Sequence, residues 1–348
     1  KTYGDAAFTL SATSSNTSAV TYTSSDPSVA TITGSTVTIT GAGTTTITMT
    51  QVAEANYLSA TATATLTVSK ATSSVTFADV TKTYGDADFT LSATSSNISS
   101  ITYTSSDTSV ATISGNTVTI TGAGTTTITM TQVADANYTA ATATATLTVA
   151  NATPSVTFTD LSKTYGDADF ALSATSSNTS SITYTSSDTN VATITGSTVT
   201  ITGAGTTTIT MIQVADNNYL SATATATLTV GKATPSVTFT DQSMTYGDAD
   251  FVLSATSSNT SAITYTSSDT SVATITGSTV TITGAGTTTI TMIQVADDNY
   301  LSATVTATLT VAKATPSVTF TDLSKTYGDA NFALSATSSN TSSITYTS

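Results

Sequence analysis

The chain has no cysteine, no tryptophan, no histidine and no arginine, and glutamate occurs once, at Glu54. Without cysteine there is neither a disulfide nor a thiol nucleophile. Without histidine there is no His-based triad and no imidazole general base, so the abundant serines have no partner to activate them. Paired carboxylates exist, but glycosidase-type work also needs a concave pocket, which a small repeated unit rarely offers. The chain is therefore read as not an enzyme. No apolar run approaches the roughly 20 residues of a membrane helix, and no membrane insertion is expected within this sequence. All seven basic residues are lysine, against 21 acidic ones, for a net charge of −14. That balance opposes a nucleic-acid partner, whose phosphates need a basic footprint, and equally opposes an anionic membrane surface.

What is present, above all, is threonine, as the stretch 152–232 shows. Threonine is β-branched and fits strands better than helices, which points to an all-β fold. No segment carries helical periodicity. The acidic balance suits solubility, because near-identical neighbours are prone to misassemble. Small secreted eukaryotic domains usually rely on disulfides, so a cysteine-free, Thr-rich, acidic chain fits a bacterial exterior better.

The dominant fact is repetition. KTYGDA recurs at Lys1, Lys82, Lys163 and Lys325, with MTYGDA at Met244, in constant steps without insertion or deletion. Segments 163–243 and 244–324 differ at only eight positions. A unit of this length exceeds a solenoid repeat and matches a small domain with one modest core. Pro154, Pro235 and Pro316 follow the apolar LTV runs, and proline is tolerated at a strand's start. The expected domains are 71–151, 152–232 and 233–313, with 1–70 lacking a first strand and 314–348 a partial unit. Lys1 falls inside a repeat, so the chain is expected to be a piece of a longer one. The short Pro-bearing links predict an extended, semi-rigid array. Strands of about ten residues along the array axis would add roughly 35–40 Å per copy.

Within 152–232, alternation of period two marks about seven strands. Val156 and Phe158 share one face of the first, Phe170, Leu172 and Ala174 line the second, and Ile182 and Tyr184 the third. Val191–Ile194 and Val199–Ile201 flank Gly196-Ser197, a two-residue hairpin signal. Gly203-Ala204-Gly205 turns the chain into the strand of Ile209 and Met211. In the last strand Ala222, Ala224, Ala226, Leu228 and Val230 face one way, and Thr223, Thr225, Thr227 and Thr229 the other. Tyr219 stands just before it, where a tyrosine often packs at a sandwich corner. The pattern predicts tandem immunoglobulin-like β-sandwich domains, strung as beads.

The run SSDTSVATITGSTVTITGAGTTTITM, ending at Met292, resembles the bacterial Ig-like (Big-type) domains. Those share a Ser-Asp-x-x-Val-Ala motif, a glycine turn, then a second glycine turn before a Thr/Ile strand. The KTYGDADF opening and the VADxNY segment look like repeats of giant surface adhesins of gliding Bacteroidetes. The resemblance implies an exported stalk or adhesin on the bacterial cell surface, and supplies neither a ligand nor a catalytic residue.

A few clusters could carry chemistry. Asp167 and Asp169, two apart on an extended chain, project from one face, with Asp160 upstream and Asp216 later, as Ca²⁺ ligands would need. The position of Asp169 is Ala7 and Asn331 in other copies, so solvated turn carboxylates are preferred, and no metal or cofactor is assigned. A Lys–Asn isopeptide cross-link is not expected, since Lys163 becomes Met244 and Lys232 becomes Asn151; solvated lysines are preferred. The TxT spacings at Thr198-Val199-Thr200 and Thr223-Ala224-Thr225 suit an ice-binding array only on flat strands, whereas sandwich strands twist. Tyr184 and Tyr219 are expected to be packed, leaving Tyr165 as the one exposed ring for sugar stacking. Asn178-Thr179-Ser180 has sequon form inside a Ser/Thr-rich loop, where such matches arise by chance.

The resulting expectation is a structural spacer that projects an adhesive region, with neighbouring repeats as its partners. The alternative is a multivalent module whose repeats each contact a glycan or surface protein weakly and gain by avidity. That alternative requires exposed aromatics clustered on each repeat.

Overall fold

A computed structural model describes residues 1–348. It is all-β, with 35 strands and no helix. The chain divides into two compact units. One comprises Lys1–Val156, Ser176–Ile182 and Ile212–Thr223; the other comprises Thr157–Thr175, Thr183–Met211 and Ala224–Ser348. The 152–232 copy is shared between them, whereas the 71–151 copy lies within the first and the 233–313 copy within the second.

In the 71–151 copy the central element is the hairpin of Gly124–Gln132 and Ala141–Ala150, antiparallel in register from Gly124↔Val149 to Gln132↔Ala141. Ile101–Ser105 pairs with its first strand and Val80–Thr83 with its second, giving a four-stranded sheet. The opposing sheet orders Ala111–Ser114, Thr117–Ile120 and Phe89–Thr90. A short pair, Val75–Thr76 with Thr94–Ser95, closes one side. The 233–313 copy repeats this arrangement strand for strand. Two sheets facing one core form an immunoglobulin-like sandwich.

Alternation explains the core. On the hairpin, Ile128, Met130, Ala145, Leu147 and Val149 are buried, while Thr127, Thr131, Thr142, Thr144 and Thr146 are exposed. Leu91, Val110, Ala111 and Val118 cluster with Ile128, Leu147 and Val149, and Phe77, Val80, Phe89 and Tyr103 pack against them. Equivalent clusters lie in the 152–232 and 233–313 copies. Each fully buried Leu or Val contributes about 1.5–3 kcal/mol relative to exposure. In the 152–232 copy Leu172, Val199, Ile209, Met211, Leu228 and Val230 are buried as expected. Phe158, Phe170 and Ile201 are half-buried against them.

Two strands differ from the expectation. The first is split: after Val75–Thr76 the chain swings across and resumes at Val80–Thr83, parallel to the end of the last strand. Asp79 starts that parallel ladder, its Oδ1 accepting the Thr146 N–H at 2.7 Å. The second is also split, between Phe89–Thr90 in one sheet and Thr94–Ser95 beside the first strand. At the crossing the Ala93 N–H donates to the Tyr103 hydroxyl at 3.1 Å, so this donor is not orphaned by the break. The Gly196-Ser197 hairpin is present, with Thr195 paired to Thr198 and Gly196 at φ 63°. Only the first loop residue is left-handed, as the glycine-first hairpin turn requires.

The inner face of the central strand also carries polar groups. Thr126 is buried, bonded to the Ser105 hydroxyl at 2.9 Å and accepting the Asp107 N–H at 3.0 Å. Buried Gln132 donates to the carbonyls of Asn97 and Ser99 and accepts from Ser95 Oγ at 2.6 Å. Asn97, also buried, donates to the Val133 carbonyl at 2.9 Å. These bonds fasten the second-strand loop to the end of the central strand.

The 1–70 copy has two three-stranded sheets and no counterpart of the Val75–Thr76 pair. There the Gln51 Oε1 has no partner. Residues 314–348 contribute only Val318–Phe320 paired with Ala336–Ser338, and Phe320, Tyr327 and Phe332 are exposed. Substituting Gln132→Leu would strand the three groups it bonds, at about 1–3 kcal/mol for each one left buried. A separate early urea transition, confined to amides of 71–151, is therefore expected in hydrogen exchange, whereas exposed Thr127→Ala should shift nothing measurable.

Candidate functional site at the junctions between copies

The candidate side chains converge not on a sugar or metal site but on the seams between successive copies. Each seam joins the Tyr of KTYGD and the Gly-Ala-Gly turn of one copy to the VADxNY loop of the next. Tyr3 meets Tyr138, Tyr84 meets Tyr219, and Tyr165 meets Tyr300. The centroids are 5.5, 5.4 and 5.4 Å apart, with the rings nearly perpendicular. Edge-to-face aromatic pairs contribute about 0.5–1.5 kcal/mol beyond their buried area.

Beside each ring pair the incoming asparagine accepts a backbone hydrogen bond. Ala42 N–H donates to Asn137 Oδ1 at 2.9 Å, Ala123 N–H to Asn218 Oδ1 at 2.9 Å, and Ala204 N–H to Asn299 Oδ1 at 2.8 Å. The glycine before that alanine is required by close approach. A Cβ on Gly122 would lie 2.5 Å from the Ser109 carbonyl oxygen and 3.4 Å from Asn218 Oδ1. The third contact comes from the link itself. Lys70 and Lys232 donate to the carbonyls of Asp135 and Asp297, and Asn151 donates to the Asn217 carbonyl at 2.9 Å.

The loop that docks is shaped by its aspartate. Asp135 Oδ1 accepts the N–H groups of Asn137 and Tyr138 at 2.7 and 2.6 Å. Asp216 and Asp297 do the same for their own Asn and Tyr. This is the local turn chemistry that favours aspartate in loops. Behind the loop, Ala71, Ala152 and Ala233 bridge in parallel to Tyr138, Tyr219 and Tyr300, fixing the start of each copy against its own docking loop.

The acceptor turn has its own support. Ser109 donates from both its hydroxyl, at 2.6 Å, and its backbone N–H, at 2.8 Å, to Asp107 Oδ1. The hydroxyl bond first, and the backbone bond second, hold the Asp107 carboxyl below its ordinary range. Asp26 and Asp269 are lowered in the same way by Ser28 and Ser271. On the same turn the Val110 carbonyl accepts from both Thr121 and Gly122 and so holds the Gly-Ala-Gly turn in place.

The seams correct some of the expectations. Tyr165 is not a free ring for sugar stacking, because Tyr300 covers it; Tyr219 serves a seam rather than a sandwich corner. Lys232 is not merely solvated but donates across the seam, and Asn151 can replace it because an amide N–H makes a similar bond. Lys163 lies over the Phe170 ring at 4.8 Å. Met244 packs in the cluster that holds Phe251, so a long aliphatic stem serves at either position. Tyr184 packs on Phe158 at 5.6 Å, as expected, with its hydroxyl accepting the Ala174 N–H.

Asn178 is 3 % exposed, its amide donating to the Val214 carbonyl and its oxygen accepting from Ser180, so the sequon nitrogen is engaged. The aspartates have separate tasks: Asp160 accepts from Thr227 N–H, Asp167 from Thr164 N–H and Asp169 from Thr200 Oγ1. No three acidic groups gather where a metal ion could be held. The Thr face is real, as Thr125↔Thr148, Thr127↔Thr146 and Thr129↔Thr144 lie directly opposite across the hairpin. The seam asparagine and the buried Gln–Asn network have no counterpart among the sequence expectations. Their signal lies in the regular recurrence of N-Y and of M-x-Q from copy to copy.

No protein-family model matches the chain, and comparison with curated proteins finds no match. Among solved structures it is similar to Drosophila N-cadherin EC1–4, at 12% identity and TM-score 0.25, over 87% of this chain and 94% of that one. It is similar to Sidekick-1 immunoglobulin domains 1–5, at 15% identity and TM-score 0.27, over 89% of this chain and 77% of that one. A third is the titin I-band fragment I67–I69, at 13% identity and TM-score 0.28, over 70% of this chain and 99% of that one. At such identities and scores these likenesses carry no argument, and the sandwich rests on the sheet order above.

Two outcomes are expected. Tyr219→Ala should free the Ala123 amide to exchange without lowering core protection of either copy. In a carboxylate titration by NMR, Asp107 should have its midpoint below the ordinary 3.8, and Ser109→Ala should raise it towards that value. Because the folded value is the lowered one, the turn's contribution is complete above the ordinary value and is lost as pH falls through the folded midpoint.

Proposed function

We propose that the chain is a structural spacer from a bacterial cell-surface adhesin, holding an adhesive region away from the cell. The observation that carries this reading is the three-point seam, made with the same residue types at Tyr3/Tyr138, Tyr84/Tyr219 and Tyr165/Tyr300. Links this short, with a ring pair, an asparagine bond and a Lys or Asn tether at each, restrict bending between copies. In this reading the bounds are 1–70, 71–151, 152–232, 233–313 and 314–348, each complete segment being one immunoglobulin-like domain outside the cell.

The spacer is non-catalytic. An open polar cleft of about 480 Å³ lies beside the Lys232 seam, lined by Asp188, Asn190, Thr202 and Asp298, with no histidine or cysteine among its residues. The alternative of many weak glycan contacts would draw on exposed rings, and the tyrosines best suited to it are engaged at the seams. The outer sheet faces present threonine instead.

Small-angle scattering of the chain, in Ca²⁺ and then in chelator, tests the spacer. An extended profile identical in both is expected, since the seams use protein groups alone. A compact profile, or one that shortens on chelation, would sink the reading of a stalk stiffened by its own contacts.

A further inference from the structure

The ring contacts of the chain fall into two kinds. Inside a copy the pair joins a phenylalanine to a tyrosine, as with Phe77 on Tyr103 and Phe158 on Tyr184, and the 233–313 copy does the same. Between copies both rings are tyrosine, at all three seams. Inside a copy the phenolic oxygen has a structural task, accepting the Ala93 or the Ala174 N–H. The seam hydroxyls make no such bond, and a phenyl ring would serve an edge-to-face contact equally well.

The seam rings are also held from both sides. Tyr84 N–H donates to the Ala150 carbonyl and Tyr165 N–H to the Gly231 carbonyl, each at 2.9 Å. Tyr219 and Tyr300 are fixed by Asp216 and Asp297. Two phenols held in contact meet at an effective concentration that free side chains do not reach. For a one-electron oxidant, phenols are the electron-rich groups on offer. The chain has no cysteine, tryptophan or histidine, and Met130, Met211 and Met292 are wholly buried.

We propose that the seams are sites of oxidative cross-linking, at which Tyr3 and Tyr138, Tyr84 and Tyr219, and Tyr165 and Tyr300 couple to dityrosine. Each phenol gives up one electron and one proton. The two phenoxyl radicals join through a carbon–carbon bond between ring positions ortho to oxygen, and enolisation restores both phenols. Hydrogen peroxide, acting through a haem peroxidase, takes up the two electrons and two protons and becomes two molecules of water. The pairs inside a copy do not couple, because phenylalanine has no phenolic hydrogen to lose, so the bond forms between copies and not within them. In a chain without cysteine the seam thereby supplies the covalent tie that a disulfide gives elsewhere. The proposal rests on the spacer reading, whose docked seams it makes permanent.

The test treats the full chain with hydrogen peroxide and a haem peroxidase, at a dilution that keeps chains apart, and maps linked peptides by mass spectrometry. Each link removes two hydrogens. The seam pairs are expected at roughly tenfold or greater yield over any pair that includes exposed Tyr57 or Tyr327, because held groups react ahead of free ones. In Tyr219→Phe the Tyr84 link disappears and the other two remain, while amide exchange at Ala123 is unchanged because the ring contact is kept. A seam yield no higher than that of Tyr57 or Tyr327 overturns the proposal. Tyr84 coupling as fully in Tyr219→Phe, to some other tyrosine, overturns it too. If the Ala123 amide is protected in the unaltered chain and the seam pairs fail to couple, the cross-link alone falls. If that amide exchanges freely, the seam is not formed in solution and the spacer reading falls with it.

Discussion

The long hairpin of Gly124–Gln132 and Ala141–Ala150 is the constraint on which the rest of the molecule depends. Strict alternation puts Ile128, Met130, Leu147 and Val149 on one face and threonines on the other, so a slip of one residue would turn the core inside out. With no disulfide to hold the sheets, that single apolar layer and its partners on the opposing sheet carry the fold. Both ends of the layer are closed by buried polar side chains, Thr126 at one and Gln132 at the other, each hydrogen-bonded.

From the hairpin the structure leads outward to the seams. Its first strand grows from the Gly-Ala-Gly turn, which accepts the next copy's asparagine. Its second strand begins beyond the VADxNY loop, which docks on the copy before, and ends in the link that tethers the copy after. One element therefore sets the core and positions both docking surfaces. A near-identical repeat can in this way join to itself indefinitely through a contact that is not self-complementary, since loop and acceptor lie at opposite ends of the hairpin.

Much of this was legible in the residues. Period-two alternation located Leu172, Val199, Ile209, Met211, Leu228 and Val230 in the core, and Gly196-Ser197 located a hairpin. The split first strand was not legible, because Val80–Thr83 holds one apolar residue among threonines and a lysine and is defined only by its parallel neighbour. The split second strand was hidden by an unbroken alternation across Phe89, Leu91 and Ala93, interrupted in space where Ala93 bonds to Tyr103. Tyr165 read as a free ring because its partner, Tyr300, belongs to another copy far along the chain.

By itself the sequence determined the class, the period and the inward face of each strand, because composition and alternation are local properties that act over short stretches of chain. It also excluded histidine and thiol chemistry outright. Only the tertiary structure decided what the polar residues do. Tyr84, Asn218 and Asn151 look like surface residues in any single copy, and their contacts exist only when a second copy is seated against the first. A hydrogen bond between groups as distant in the chain as Ala123 and Asn218 leaves no periodic trace in either segment, so folding and docking, not pattern, assign the partner.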